Sequence, residues 1–127
     1  MDKEFIPYEQ ALTLKELGFN RRTFAQYDTI LNNKWILTFD LSEEGQYPKS
    51  TSACIAPTFS QAFRWFRDEY GLDKVIDNWA EQSVNGEIWS KAYQYYINGE
   101  AYTSYYKTYE EAELECLKQL IEIVKEK

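Results

Sequence analysis

The sequence predicts an α+β domain: three helices packed on an antiparallel sheet of about five strands, in the order α-β-β-α-β-β-β-α. Three observations predict it. Phe59, Ala62, Phe63, Phe66 and Tyr70 repeat at helical spacing and give the stretch 56–72 one apolar stripe. Two Asn-Gly pairs, Asn85-Gly86 and Asn98-Gly99, punctuate the aromatic, strand-like run that follows. Residues 108–111 read T-x-x-E directly before a second periodic apolar run. At 127 residues, with 44% hydrophobic composition, the chain is long enough to bury a core as a single domain, 1–127.

The first helix is expected over 6–19, with Pro7 in its first turn, Gly18 ending it and Phe19 folding back on Leu14. Tyr8, Ala11, Leu12 and Leu17 supply its buried side. Segments 23–28 and 35–40 are rich in aromatic and β-branched residues and read as a hairpin through Asn32-Asn33. The polar stretch 42–52 reads as a surface flap, and Cys54-Ile55 as a brief extended piece before the central helix. In that helix Pro57 suits the first turn, and Gly71 suits the left-handed position after the last, with Leu72 returning to Phe66. Strands are then expected over 75–83, 87–97 and 100–107. The last helix starts at the Thr108 cap, with Glu110 and Glu111 at its positive end and Lys125 at its negative end.

The formal charge of −7 excludes a general binder of duplex nucleic acid, which needs a basic face to displace counterions. No apolar run approaches the ~20 residues of a membrane span, and the charged start carries no secretory signal, so a cytoplasmic protein is expected. Cys54 and Cys116 are far apart and lack metal-ligand spacing; both read as structural thiols, and no metal or cofactor is expected.

Histidine is absent. That removes Ser-His-Asp and Cys-His nucleophile systems and most zinc sites. The adjacent acids Glu43-Glu44, Asp68-Glu69 and Glu110-Glu111 diverge on a helix and make no catalytic pair. The sequence therefore favours binding over catalysis. One candidate surface is the outer side of the central helix. There Arg64 and Arg67, two of only four arginines, flank Trp65 and Gln61, with Asp68 set four residues after Arg64. Two guanidinium groups beside an exposed indole can hold an anion or nucleotide, or anchor a protein partner. A second candidate surface is the tyrosine run, with Tyr93 and Tyr95 at its centre. Eleven tyrosines exceed what a core needs, and the amphipathic phenol ring suits a binding or oligomer surface.

Residues 5–12 (Phe5 to Leu12), 14–19, 56–58, 61–67, 70–72, 109–114, 116–117 and 120–125 together resemble a set of short uncharacterised phage and prophage proteins. The element order is also similar to that of small α/β-sandwich phage accessory proteins. The resemblance implies an accessory gene product of a bacterial virus acting in the host cytoplasm, where such products are often inhibitors or sponges directed at host defences. It supplies no site residues. The expected function is a non-catalytic accessory protein that inhibits host defence by capturing a host protein or sequestering a small anionic, nucleotide-like signalling ligand. A homo-oligomer would suit either role. The alternatives are a small hydrolase using carboxylate or lysine chemistry, and a self-associating structural component.

Overall fold

Helix α1 spans Tyr8–Glu16, two residues inside the predicted start and three inside the predicted end. Pro7 is its N-cap, in extended geometry, and its carbonyl accepts from Ala11 N–H at 2.9 Å. Gly18, at φ 100°, turns the chain so that Phe19 N–H reaches the Leu14 carbonyl at 2.9 Å. Glycine adopts that left-handed geometry without a Cβ penalty. The computed structural model describes residues 4–19, 21, 23, 25–30, 34–39, 54–102 and 104–126. The expected flap, 42–52, lies outside the described residues.

The chain divides into two compact units, Met1–Ala62 and Phe63–Lys127. In the first unit β1 (Ala25–Ile30) and β2 (Lys34–Phe39) form the expected hairpin, in the register Tyr27↔Leu37. The brief β3 (Cys54–Ile55) pairs antiparallel with the other edge of β1, giving a sheet in the order β2-β1-β3. Cys54 thus sits in a strand. Tyr27 packs against Phe5 and Ala56, meets Tyr8 edge-on at 5.6 Å, and donates its hydroxyl to the Ile6 carbonyl at 2.6 Å. Pro57 lies before the next helix: its carbonyl accepts from Ile6 N–H at 3.0 Å, leaving the cap to Thr58.

The unit boundary falls within α2 (Phe59–Tyr70). This helix ends as its sequence predicts, with Gly71 at φ 66° and Leu72 N–H on the Phe66 carbonyl at 3.2 Å. In the second unit β4 (Lys74–Val84) and β5 (Glu87–Ile97) make a long hairpin, followed by a very short β6 (Glu100–Ala101). The Asn-Gly pairs turn both corners, with Asn85 at φ 52° and Asn98 at φ 51°. Helix α3 (Tyr109–Lys125) closes the chain, its Thr108 Oγ1 accepting from Glu111 N–H at 3.1 Å.

Two features correct the sequence reading. The strands do not join one five-stranded sheet: the described residues form two three-stranded antiparallel sheets, β2-β1-β3 and β4-β5-β6, within an α+β fold of three helices. Cys54–Ile55 supplies the strand that completes the first. The strand expected over 100–107 stops at Ala101. Tyr102 still bonds Tyr95, and Tyr106 exchanges two bonds with Tyr93 at 2.8 and 2.9 Å. Between those pairings β5 has only Gln94, while the returning chain has 103–105, so the ladder cannot stay in step. Gln94 fills the gap by donating its side-chain amide to the Tyr102 carbonyl at 2.8 Å.

The two faces of β4–β5 differ. One carries Lys74 and Ile76 with Tyr93, Tyr95 and Ile97, and α3 lies against it, with Tyr109 edge-on to Tyr93 at 6.1 Å. The other carries Val75, Asp77 and Trp79 opposite Tyr96, Gln94 and Ala92, with Ile88 further along.

Candidate binding surface on the second sheet

The outer face of α2 does not hold the arrangement its sequence suggests. Trp65 is buried, with only 3% of its surface exposed, its ring edge-on to Phe66 at 5.1 Å and to Tyr70 at 5.4 Å. The indole extends the apolar side of the helix rather than standing beside the arginines. Arg64 and Arg67 are exposed. Arg67 approaches Asp68 at 3.8 Å, and Arg64 has no ion-pair partner among the described residues, so the i,i+4 pair with Asp68 is not formed. Without the ring, the two guanidinium groups form no stacking site.

Gln61 has a structural task. Its Oε1 accepts from Thr58 N–H at 2.9 Å while its own N–H donates to Thr58 Oγ1 at 3.1 Å. This reciprocal capping box satisfies two N–H groups that a helix start otherwise leaves unpaired. T-x-x-Q at 58–61 is the sequence signal for it, the same signature that marks α3.

The tyrosines pack largely on one another. Tyr95 is buried and stacks on Tyr102 at 4.9 Å and on Tyr106 at 6.2 Å, while Tyr93 is half-buried against Tyr109. Burial pushes the Tyr95 hydroxyl well above its usual range, with Tyr106 and the Cys116 thiol adding to it. Tyr95 therefore belongs to the layer between β5 and α3 and is not a contact surface.

The opposite face of the hairpin is where large apolar groups meet solvent. Val75 is 54% exposed, Trp79 40% and Ile88 79%. The sequence alone does not single out these three as a site, although alternation along β4 and β5 puts them on one face, with Ile88 opposite Ser83, four ladder positions beyond the Trp79↔Ala92 pair. Trp79 lies across the strands from the fully buried Ala92. Beneath it, Tyr96 donates its hydroxyl to Gln94 Oε1 at 3.3 Å, and the Asp77 carboxylate and the Trp79 indole lie against the same hydroxyl. Removal from water raises the Tyr96 hydroxyl above its ordinary value, Asp77 adds to that, and the Trp79 indole opposes it. Gln94 is in turn held by the Tyr102 carbonyl. The exposed indole thus meets one hydroxyl that is itself held, which lowers the ordering cost of a contact made through it.

A separate polar cluster lies at the turn end of β5. Lys107 Nζ sits 5.1 Å from the Trp89 ring centroid and 4.0 Å from Glu87 Oε2, and Trp89 Nε1 donates to the same Glu87 oxygen at 3.3 Å. Among the described residues no group of three or more Cys, Asp or Glu side chains is placed to hold a metal ion. Nor is any helix among them long and apolar enough to cross a membrane. No protein-family description, no curated protein and no solved structure matches this chain.

Proposed function

We propose that this protein is a non-catalytic binding protein that captures a protein partner on the Trp79 face of β4 and β5, with Trp79 as the anchor. The observation that carries this reading is the grouping of Val75, Trp79 and Ile88, all substantially exposed, on one sheet face. Tryptophan is the residue type most often dominant in protein interfaces, and this ring meets the Tyr96 hydroxyl, which Gln94 and Asp77 hold in turn. Exposed apolar side chains spaced along one sheet face suit a protein surface better than a small polar ligand. In the setting that the resemblance to phage accessory proteins implies, the partner is a host protein and the effect is inhibition of host defence.

The test is affinity capture from a bacterial host lysate with the wild-type chain, Trp79→Ser, Ile88→Ser and Arg64→Ala, read by native mass spectrometry. The wild type and Arg64→Ala retain the same partner, while Trp79→Ser loses it, since an anchor of this type is worth about 2 kcal/mol or more. Retention unchanged by Trp79→Ser overturns the reading. Sedimentation of the purified chain separates a foreign partner from a second copy: a monomer is expected.

A further inference from the structure

Strand β5 is central for only part of its length. On the β6 side it is paired from Ile97 back to Tyr93, by Glu100, Ala101, Tyr102 and Tyr106 in turn. The chain then leaves the edge, because Thr108 must cap α3. From Lys91 back to Glu87, β5 keeps β4 on one side and has no strand on the other among the described residues. In an antiparallel ladder alternate residues turn both main-chain groups to the same side, so every second residue here offers an N–H and a C=O outward.

That open edge lines a depression of about 490 Å³, bounded by Glu87, Ile88, Trp89, Ser90, Lys91 and Lys107. It is open to solvent along the strand edge and its lining is mainly polar. Its charge differs in sign from that of the chain. Glu87 already faces Lys107 and the Trp89 indole N–H, whereas Lys91 is exposed with no ion-pair partner among the described residues. Two lysines against one engaged carboxylate leave the edge cationic in a chain of net charge −7.

We propose that the 87–91 edge of β5 is a strand-addition slot for an extended acidic peptide, whose backbone extends the sheet where Tyr106 leaves it and whose carboxylates meet Lys91 and Lys107. Main-chain hydrogen bonds supply the generic part of such recognition and alternate side chains the specific part. Electrostatic complementarity selects acidic over basic segments. The slot adjoins the Val75–Trp79–Ile88 face at Ile88, but it is built from the strand edge and the two lysines and does not use Trp79.

Hydrogen exchange and amide chemical shifts of the whole protein test this, with a soluble peptide of alternating valine and glutamate as the probe and its valine–lysine counterpart as the control. In the free protein alternate amides within 88–91 exchange fast. The acidic peptide protects those amides, and the double variant Lys91→Glu/Lys107→Glu weakens it at least about tenfold. Inorganic phosphate is the third arm. Four results overturn the proposal: slow exchange of every 88–91 amide in the free protein, an equal response to the lysine peptide, a phosphate response with no amide protection by peptide, or no response to millimolar acidic peptide.

Discussion

Thr58 and Gln61 each accept from the other's backbone N–H, at 3.1 and 2.9 Å, and so fix the start of α2. Gln61→Ala removes one of these bonds and is expected to destabilise the protein by about 1 kcal/mol, the usual scale of a lost cap. Arg64→Ala, on the exposed side of the same helix, is expected to stay within ~0.5 kcal/mol. Urea denaturation of both variants checks the contrast. If Gln61→Ala proved neutral, the box would not be holding the helix start.

At α3 only half of the corresponding box is present. Thr108 Oγ1 accepts from Glu111 N–H, but no bond returns from the Glu111 carboxylate to the Thr108 N–H. Thr108→Ala is expected to cost about 1 kcal/mol and Thr108→Asn much less, because Asn restores the acceptor. Glu111→Gln should leave the thermal midpoint nearly unchanged, which separates this site from the Gln61 one.

The two tryptophans Trp65 and Trp79 respond oppositely to truncation. Trp65→Ala empties a buried site and is expected to cost about 3–5 kcal/mol. Trp79→Ser is expected to cost under about 1 kcal/mol in stability while abolishing partner capture. Chemical denaturation alongside the capture assay reads both quantities. A large stability loss at Trp79 would make the ring structural.

Cys116 lies fully buried on α3, and burial pushes its thiol up from an ordinary 9.0 to about 12, with Lys74 opposing and Glu113 adding. A thiol reagent at pH 8 should leave the folded chain's Cys116 unmodified and react once urea is added. The raised value also sets a pH dependence. Below pH 9 folded and unfolded states both keep the proton, and the contribution to stability is complete. Between about 9 and 12 the unfolded chain releases a proton that the folded chain retains, so stability falls across that window. Tyr95, Tyr106 and Tyr109 are also raised, in each case chiefly by desolvation, and add to the loss at higher pH. Cys116→Ala should flatten the part of the decline nearest pH 9.

Local chemistry made much of the fold legible. Gly71 with Leu72, the two Asn-Gly turns and the Thr108 cap each act through residues close in sequence, and each forms as expected. The grouping of strands was not legible. Whether Cys54–Ile55 joins β1, or the strands share one sheet, depends on pairings across long separations. The candidate site suffered for the same reason. Trp65 lies off the obvious stripe of α2, so its burial depends on ring contacts with Phe66 and Tyr70 that spacing does not reveal. Conversely, alternation places Val75, Trp79 and Ile88 on a common sheet face, but only the position of α3 tells that face from the covered one. T-x-x-Q at 58–61 marks Gln61 as a cap, a local signal that outweighs its helical spacing to the arginines.

Glu81 adopts φ 48° in the middle of β4, yet Ala80↔Lys91 and Gln82↔Trp89 on either side keep the same register. The left-handed residue therefore interrupts the ladder without inserting length. β4 is the outer strand of its sheet, and an unbroken rim of that length invites cross-β stacking between molecules. A local twist bearing an exposed carboxylate spoils such a template at its midpoint. Glu81→Val, which removes the carboxylate and disfavours the left-handed residue, is expected to seed thioflavin-positive fibres at concentrations where the parent solution stays clear.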